Sequence, residues 1–204
     1  MTAKIPHFVA LDVETTLNGN EDVGLAHPMH PDNYWVYAGL NTAFGNVVIK
    51  EDCSGLLSAL KGWSGSDTVF CGCNFAFDLM YVYKSGPAIK RLLQNHKIWD
   101  VQLAEYILSG QQAKWSSLDE LSIKYGLEVK DSTIKKYFEA GLGSDKIPKD
   151  EIVPYLKHDV SVTKNIAMQQ YEIAKAQKQL PLIWSQMRAL HATTEMMWNG
   201  LHID

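Results

Sequence analysis

Hydrophobic and polar positions divide the chain into a first part of short apolar runs and a second part with helical spacing. Two apolar runs, His7–Val13 and Asp67–Cys73, are typical of buried strands. Tyr34–Asn41 and Asn46–Lys50 are separated by a glycine-containing turn, which predicts a β-hairpin. Ile98–Asp100 predicts a further short strand. The pattern therefore indicates a sheet built mainly from the first half of the chain.

Apolar residues three or four positions apart mark the predicted helices, which dominate the second half. Ser117 and Glu120 have capping-box spacing at the start of one helix, and proline is tolerated in a first turn. The predicted helices are Cys53–Leu60, a helix opening at Asn74–Asp78, Val101–Leu108, Ser116–Tyr125, a long helix from Pro148 or Pro154 to about Lys178, and Leu182–Trp198. These elements predict one α/β domain over residues 1–180, with residues 181–204 forming a C-terminal helix that serves as a connector.

Composition narrows the class of protein. The 204-residue chain is 46% hydrophobic and 21% charged, which is ordinary for a soluble globular protein. No apolar run approaches the roughly 18 residues that a membrane span requires, and the first residues lack the pattern of a secretory signal. Cys71 and Cys73 are too close in sequence for a disulfide framework and too few for a zinc site. These features predict a cytoplasmic protein without a membrane partner.

The formal net charge of −4 argues against strong, sequence-independent binding of duplex nucleic acid. Four of the negative charges, however, belong to the candidate site described next, and two bound divalent cations would offset them locally. The acidity is therefore compatible with a phosphodiester substrate that is held through metal ions.

The first candidate motif is Asp12-Val13-Glu14, which comes at the end of a predicted buried strand. Alternation along a strand turns both carboxylates to one side and Val13 into the core. Two like charges side by side repel, and a cation between them relieves the repulsion. Taken alone, the motif also fits an exposed acid pair with no function.

Two further pairs have a spacing of four residues. On a helix, Asn74 and Asp78 lie on one face, and so do Tyr155 and Asp159. Aspartate is a hard oxygen ligand suited to Mg²⁺ or Mn²⁺, and a tyrosine hydroxyl is able to orient a water. The first pair has an ordinary alternative, in which Asn74 caps the helix and Asp78 is an exposed acid. In the alternative for the second pair, Tyr155 packs in the core and Asp159 lies on the surface.

In order and spacing, the three pairs resemble the D-x-E, N-x3-D and Y-x3-D motifs of the DEDD exonuclease superfamily. The resemblance implies a ribonuclease H-like fold, an α/β fold with a mixed central sheet flanked by helices. One branch of the superfamily has tyrosine four residues before the last aspartate, and the other has histidine five residues before it. Tyr155 and Pro154 occupy these positions here, so the chain resembles the tyrosine branch. His158 precedes Asp159 directly and points about 100° away on a helix, so it is not assigned the role of a base.

Further segments resemble the proofreading domain of family A DNA polymerases, the bacterial polymerase I and phage enzymes. They are Ile98–Leu108, Ser117–Leu121 and Trp198–Asp204. The last is similar to the segment where that family's exonuclease domain is followed by its polymerase domain, which implies that the C-terminal helix connects to a polymerase domain. The chain differs from that family in the long loop Asn18–Asn33 and in the region Lys130–Lys149.

The resemblance implies two divalent cations, Mg²⁺ or Mn²⁺, as cofactors. Asp12, Glu14 and Asp159 would hold one cation, and Asp12 would bridge to the second. Asp78 would act on the second cation through waters, while Tyr155 and Glu14 would orient the attacking water. Two cations roughly 4 Å apart supply a hydroxide, stabilise charge on the phosphate and help the leaving 3′ oxygen.

Residues next to the acids are candidate substrate contacts. Asn74 and Thr15 are predicted to contact the phosphate or sugar of the terminal nucleotide. Leu17 is a candidate wedge against the last base, or an ordinary loop leucine. Aromatic residues that either stack on a single strand or pack in the core are Trp35, Phe75 and Phe77.

Other charged residues near the motifs receive ordinary roles. Asp100 is predicted to cap the helix that starts at Val101 rather than to bind a metal. Lysines gather in sequence around the last motif, either along the path of a nucleic-acid strand or as a solvated face. They are Lys130, Lys135, Lys136, Lys146, Lys149 and Lys157.

The main hypothesis is a 3′→5′ DNA exonuclease that releases 5′-mononucleotides and proofreads for a DNA polymerase. Its predicted partners are a single-stranded or frayed 3′ end and a polymerase domain, in cis or in trans, in a bacterial or phage-infected cell. A first alternative keeps the site and makes the chain a stand-alone 3′→5′ exoribonuclease, because the metals contact phosphates that both polymers share. A second alternative is a catalytically silent nucleic-acid-binding module.

Overall fold

A computed structural model describes residues 5–19, 24–112, 115–128 and 134–200. Its centre is a mixed sheet with the strand order β3-β2-β1-β4-β5. The strands are β1 (His7–Thr15), β2 (Trp35–Thr42), β3 (Gly45–Lys50), β4 (Thr68–Gly72) and β5 (Lys97–Asp100). β1 pairs antiparallel with β2 and parallel with β4, and β4 pairs parallel with β5. The carboxyl ends of β1, β4 and β5 therefore meet at one edge of the sheet.

Helices account for most of the remaining described chain. They are α1 (Cys53–Trp63), α2 (Phe75–Lys84), α3 (Pro87–Gln94), α4 (Val101–Leu108), α5 (Leu118–Lys124), α6 (Lys135–Glu139), α7 (Lys149–Ala176) and α8 (Leu180–Asn199). A 3₁₀ turn, Ser144–Lys146, precedes α7. The predicted α/β class, with a mixed central sheet flanked by helices, is confirmed.

Most predicted elements are present, with bounds that differ by a few residues. The capping box at α5 is confirmed, since the Ser117 hydroxyl accepts from the Glu120 amide and the Glu120 carboxylate accepts from the Ser117 amide. The sequence pattern did not predict α3, a short helix that buries Ile89 and Leu93. Of the two prolines considered for the start of α7, Pro148 is the N-cap residue and Pro154 lies inside the helix.

The long helix α7 packs against the sheet, and Gln170 anchors its C-terminal part. This side chain is fully buried; its carbonyl oxygen accepts from Trp99 Nε1 at 3.0 Å, and its amide donates to the Val101 carbonyl at 2.9 Å. One hydrogen-bonded side chain thus ties α7 to the end of β5 and the start of α4. α7 also carries Tyr155 and Asp159, in its N-terminal half.

The predicted loop between Asn18 and Asn33 is irregular and hydrogen-bonded in its described part. Asn33 is buried; its side-chain oxygen accepts from the Asn18 amide at 2.7 Å, and its amide donates to the Leu25 carbonyl at 2.9 Å. The Lys84 ammonium, at the end of α2, donates to the carbonyls of Pro28, His30 and Asn33. The loop leaves β1 and returns to β2 at the same edge of the sheet.

The last helix, α8, packs against the domain through Ile183 and Met187, which are buried. Trp184 lies edge-on to Trp99 with ring centroids 5.1 Å apart. None of the helices in the described part of the chain combines the length and apolar content needed to cross a membrane.

Candidate active site

The acid pair of the first motif lies on the central strand of the sheet. Asp12 is opposite Gly39 of β2, and Glu14 is opposite Tyr37. Val13, between the acids, is buried in the core as predicted. Glu14 is 7% exposed, whereas Asp12 is partly exposed, so the pair does not form the exposed, functionless arrangement considered as its alternative.

Asp78, in the first turn of α2, is joined directly to this strand. Its Oδ1 accepts a hydrogen bond from the Val13 amide at 2.9 Å, and the side chain is 2% exposed. The alternative of an exposed helix acid is therefore wrong. Burial, followed by the charge of Asp12, raises the pKa of Asp78 well above its ordinary value. The carboxylates of Asp12 and Asp78, which belong to different motifs, therefore lie near each other, with Asp78 largely shielded from water.

Two features set the position of α2. An added Cβ at Gly72 would lie 2.1 Å from the Phe75 ring, so only glycine at the end of β4 admits that ring. The Phe75 amide donates to Asp100 Oδ2 at 2.8 Å, and Asp100 Oδ1 accepts from the Gln102 amide at 2.8 Å. Asp100 caps α4, as predicted, and also holds the first residue of α2.

Asn74 departs from the geometry predicted for its motif. It precedes α2 with a left-handed backbone, φ 55° and ψ 47°, and its side chain makes no capping hydrogen bond. The residue is exposed while Asp78 is buried, so the two do not project together from one helical face. The reason is local: the shared face requires both residues to be helical, and Asn74 is not.

The third motif faces the acids from α7. Asp159 is 7% exposed, which excludes the alternative of a surface aspartate. Burial and then the charges of Asp159, Glu14 and Asp12 raise the pKa of Tyr155. The Tyr155 ring lies edge-on to Phe138 of α6, with centroids 6.3 Å apart. The third motif therefore shares its electrostatic environment with the first.

Gly39 allows α7 to approach this part of the sheet. It is the residue opposite Asp12, and an added Cβ would lie 2.7 Å from Leu156 Cγ. Leu156 is fully buried and lies between Tyr155 and Asp159 in sequence. A side chain at position 39 would push this turn of α7 away from the acids.

Two residues that the sequence reasoning did not assign to the site lie against it. Burial and then the charges of Asp100, Asp12, Asp78 and Asp159 raise the pKa of the Cys73 thiol, which places Cys73 among these acids. The one sequence feature that could have indicated a place in the site for Cys73 is its position directly before the Asn74 motif.

The second missed residue is Ser144, whose hydroxyl donates to Glu14 Oε2 at 3.1 Å. It belongs to the 3₁₀ turn before α7, in a region where no motif could be recognised. No sequence spacing connects it to Glu14, because 130 residues separate the two.

The predicted substrate contacts fall into two groups. Thr15 and Leu17 follow the acid pair at the end of β1; Thr15 is buried and Leu17 is partly buried. Trp35 and Phe75 are buried in the core, so the packing alternative holds for both. Phe77 is partly buried and packs against Tyr81, with ring centroids 5.0 Å apart.

Three of the candidate lysines are paired with acids. Lys135 contacts Asp119 at 2.7 Å, Lys136 contacts Glu151 at 3.8 Å, and Lys146 contacts Asp145 at 2.7 Å. Their charge is thereby partly neutralised, which favours the solvated-face interpretation for these three. Lys130 lies outside the described residues.

The donor set fits a hard divalent cation in its chemistry: the Asp12 carboxylate contributes to the raised pKa of Asp78, and the carboxylates of Asp159, Glu14 and Asp12 contribute to the raised pKa of Tyr155. Across the described ranges, no three acid, histidine or cysteine side chains stand in a ready-made ligand arrangement. Asp78 accepts a hydrogen bond from the Val13 amide, and Glu14 accepts one from the Ser144 hydroxyl.

No protein-family model matches the chain, and no curated protein sequence matches it. Solved structures do resemble it. NrnC from Brucella melitensis, described with bound Mg²⁺, is 14% identical with a TM-score of 0.67, over 97% of this chain and 90% of that one. The catalytic core of RRP6 from Trypanosoma brucei is 13% identical with a TM-score of 0.63, over 91% of this chain and 46% of that one.

RNase D from Escherichia coli, described as an exoribonuclease involved in structured RNA processing, is 14% identical with a TM-score of 0.63. That match covers 92% of this chain and 44% of RNase D, so the chain spans less than half of RNase D and of the RRP6 core. At these identities the likeness shows a shared fold, and the predicted ribonuclease H-like arrangement is confirmed.

Proposed function

We propose that this chain is a metal-dependent 3′→5′ exonuclease of the DEDD type that acts on RNA. The observation that carries the proposal is the hydrogen bond from the Val13 amide to Asp78, which joins the first two motifs. The third motif lies in the same electrostatic environment as the first, because the charges of Asp12 and Asp159 both act on Tyr155 and on Cys73. Acids from three separate segments, buried together at one sheet edge, are costly unless a cation offsets their charge.

Asp12, Glu14, Asp78 and Asp159 would hold two divalent cations, Mg²⁺ or Mn²⁺. When bound, such cations lower the pKa of water and stabilise charge on the phosphoryl oxygens. The protein's own groups supply orientation. In the metal-free protein, burial and the nearby carboxylates raise the pKa of Tyr155, so its hydroxyl is protonated and is able to donate a hydrogen bond to a water or accept one from it.

The substrate end would enter past the residues that follow the acid pair. Thr15, Leu17 and Asn74 remain the proposed contacts to the terminal nucleotide. Asn74 suits this role because its side chain is exposed and makes no helix-capping hydrogen bond. Asn74 has a left-handed backbone and lies directly between Cys73 and α2 in sequence.

RNA is the proposed substrate because RNase D, which shares the fold, is described as an exoribonuclease. DNA proofreading is the second candidate, supported by the resemblance of Trp198–Asp204 to the junction of family A polymerases. Residues 201–204 of that segment lie outside the described residues. In that case α8 would connect to a polymerase domain, and the partner would be a frayed DNA end.

The test uses matched single-stranded RNA and DNA oligonucleotides with a 5′ label, with Mg²⁺ or Mn²⁺ and with chelator. The expected result is metal-dependent shortening from the 3′ end with release of 5′-mononucleotides, faster on RNA. A 3′-phosphate block should stop the reaction, and Asp12→Ala should abolish it. Glu139→Gln, which changes an exposed acid of α6, is the control and should leave the rate unchanged.

Each other outcome has a definite meaning. Faster cleavage of DNA would replace the RNA assignment by the proofreading candidate. Internal cleavage, or equal rates on blocked ends, would contradict exonuclease activity. Absence of both cleavage and Mn²⁺ binding would leave the catalytically silent binding module.

A further inference from the structure

The carboxylate of Glu14 receives a hydrogen bond from a residue that belongs to none of the three motifs. Ser144 is 1% exposed, and its Oγ donates to Glu14 Oε2 at 3.1 Å. Both side chains are buried, so water does not readily replace this donor. The contact therefore restricts the directions that the Glu14 carboxylate can take.

The position of Ser144 is set by close backbone packing. An added Cβ at Gly143 would lie 2.8 Å from the Leu17 amide nitrogen and 3.0 Å from Thr16 Cα, so the 3₁₀ turn rests on the end of β1. The Lys146 amide donates to the Gly143 carbonyl at 2.9 Å and closes the turn. Ser144 is thus part of a tightly packed turn that only glycine at position 143 permits.

We propose that Ser144 is a positioning residue, which orients the Glu14 carboxylate for binding a divalent cation. The inference rests on the proposed function, because it concerns the same metal site. A glutamate has three side-chain torsions, and beside other buried acids its carboxylate turns away from them unless a donor holds it. Removal of a donor that holds a metal-binding carboxylate typically lowers metal affinity about 10–100-fold.

The test measures Mn²⁺ affinity by calorimetry on the intact chain. Ser144→Ala is expected to weaken binding about tenfold. Ser144→Thr keeps the hydroxyl and should restore most of the affinity. The matched control is Ser122→Ala, which removes another buried serine hydroxyl, one that donates to the Leu118 carbonyl at 2.7 Å and not to an acid. This control should leave Mn²⁺ affinity unchanged.

A double-mutant cycle separates positioning from a general structural effect. In a Glu14→Gln background, Ser144→Ala should cause little further loss of Mn²⁺ affinity, because the carboxylate that it orients is gone. An equal loss in both backgrounds would overturn the inference and make Ser144 a structural residue. Unchanged affinity in Ser144→Ala alone would also overturn it, while the proposed function would stand.

Activity gives a second readout. In Ser144→Ala, the Mg²⁺ concentration for half-maximal rate should rise about tenfold, with a smaller change in kcat at saturating Mg²⁺. A wild-type chain that neither binds Mn²⁺ nor cleaves RNA or DNA would overturn the proposed function, and the inference with it. The two failures are therefore distinguishable.

Discussion

The amide of Val13 donates to the carboxylate of Asp78 at 2.9 Å, so the residue between the two strand acids holds the acid of α2. This bond uses a backbone group and survives many changes of the Val13 side chain. It joins the first two motifs through the backbone of β1. The raised pKa of Asp78 follows from this arrangement, because the bond draws the carboxyl into a buried place near Asp12.

Asp78→Asn is expected to abolish nuclease activity and to stabilise the metal-free protein at neutral pH. Burial and the charge of Asp12 make ionised Asp78 unfavourable in the folded state. Asparagine removes the charge, and its Oδ1 can still accept from Val13. Melting should show a Tm increase of roughly 2–4 °C, the shift that ~1 kcal/mol produces in a chain of this size.

The stability gain should depend on pH. The folded state binds the Asp78 proton more tightly than the unfolded chain, since burial raises the pKa above its ordinary value of 3.8. The contribution to wild-type stability is complete below that ordinary value and is lost as the pH rises through the raised pKa. Melts from about pH 4 to pH 8 should show a Tm difference that grows with pH across this window. A Tm difference that is the same at every pH would contradict the assignment.

Gly39→Ala is expected to destabilise the protein by about 1–3 kcal/mol and to lower activity at least about tenfold. The new Cβ would lie 2.7 Å from Leu156 Cγ, so α7 must shift and carry Tyr155 and Asp159 away from Asp12. Urea unfolding and initial rates measure the two effects. Gly62→Ala in α1 is the control, since its Cβ meets nothing within 4 Å. Equal effects of the two substitutions would show that Gly39 has no packing role.

Sequence patterns correctly predicted the features that depend on interactions between residues close together in the chain. The capping box of α5 and the cap by Asp100 are set by hydrogen bonds within three residues. The Asp12-Val13-Glu14 strand was predictable from alternation, and Asp159 from helical spacing. These predictions required no knowledge of the tertiary structure.

Contacts between distant segments were not predictable in this way. The second oxygen of Asp100 binds the Phe75 amide, 25 residues away, and Ser144 reaches Glu14 across 130 residues. Neither contact produces a periodic pattern in the sequence, because each one depends on how the sheet and the turns bring distant segments together. The helical prediction for Asn74 was wrong because the chain takes a left-handed conformation before α2 begins.

Lys84→Met is expected to loosen the loop between β1 and β2. The ammonium donates to the carbonyls of Pro28, His30 and Asn33, and methionine would leave these acceptors without their shared donor. Loss of such bonds costs about 1–3 kcal/mol. Hydrogen exchange should accelerate at residues 24–33 more than in β4. Lys61→Met, at an exposed lysine of α1, should leave the exchange of this loop unchanged.

Tyr155→Phe removes the hydroxyl and keeps the aromatic ring, so it tests the role of the hydroxyl separately from that of the ring. The phenylalanine ring can still pack edge-on to Phe138, so the fold around α6 and α7 should be kept. If the hydroxyl orients the attacking water, kcat should fall about 10²-fold while Mn²⁺ affinity and Tm change little.

The control for this substitution is Tyr137→Phe, which removes a hydroxyl that donates to Glu151 Oε1 at 2.8 Å, outside the acid cluster. It should leave kcat close to the wild-type value. A similar fall in kcat for both variants would mean that the effect is not specific to the Tyr155 hydroxyl. A Tyr155→Phe variant with normal kcat and raised KM would move Tyr155 from water orientation to substrate binding, because the hydroxyl would then contribute equally to ground state and transition state.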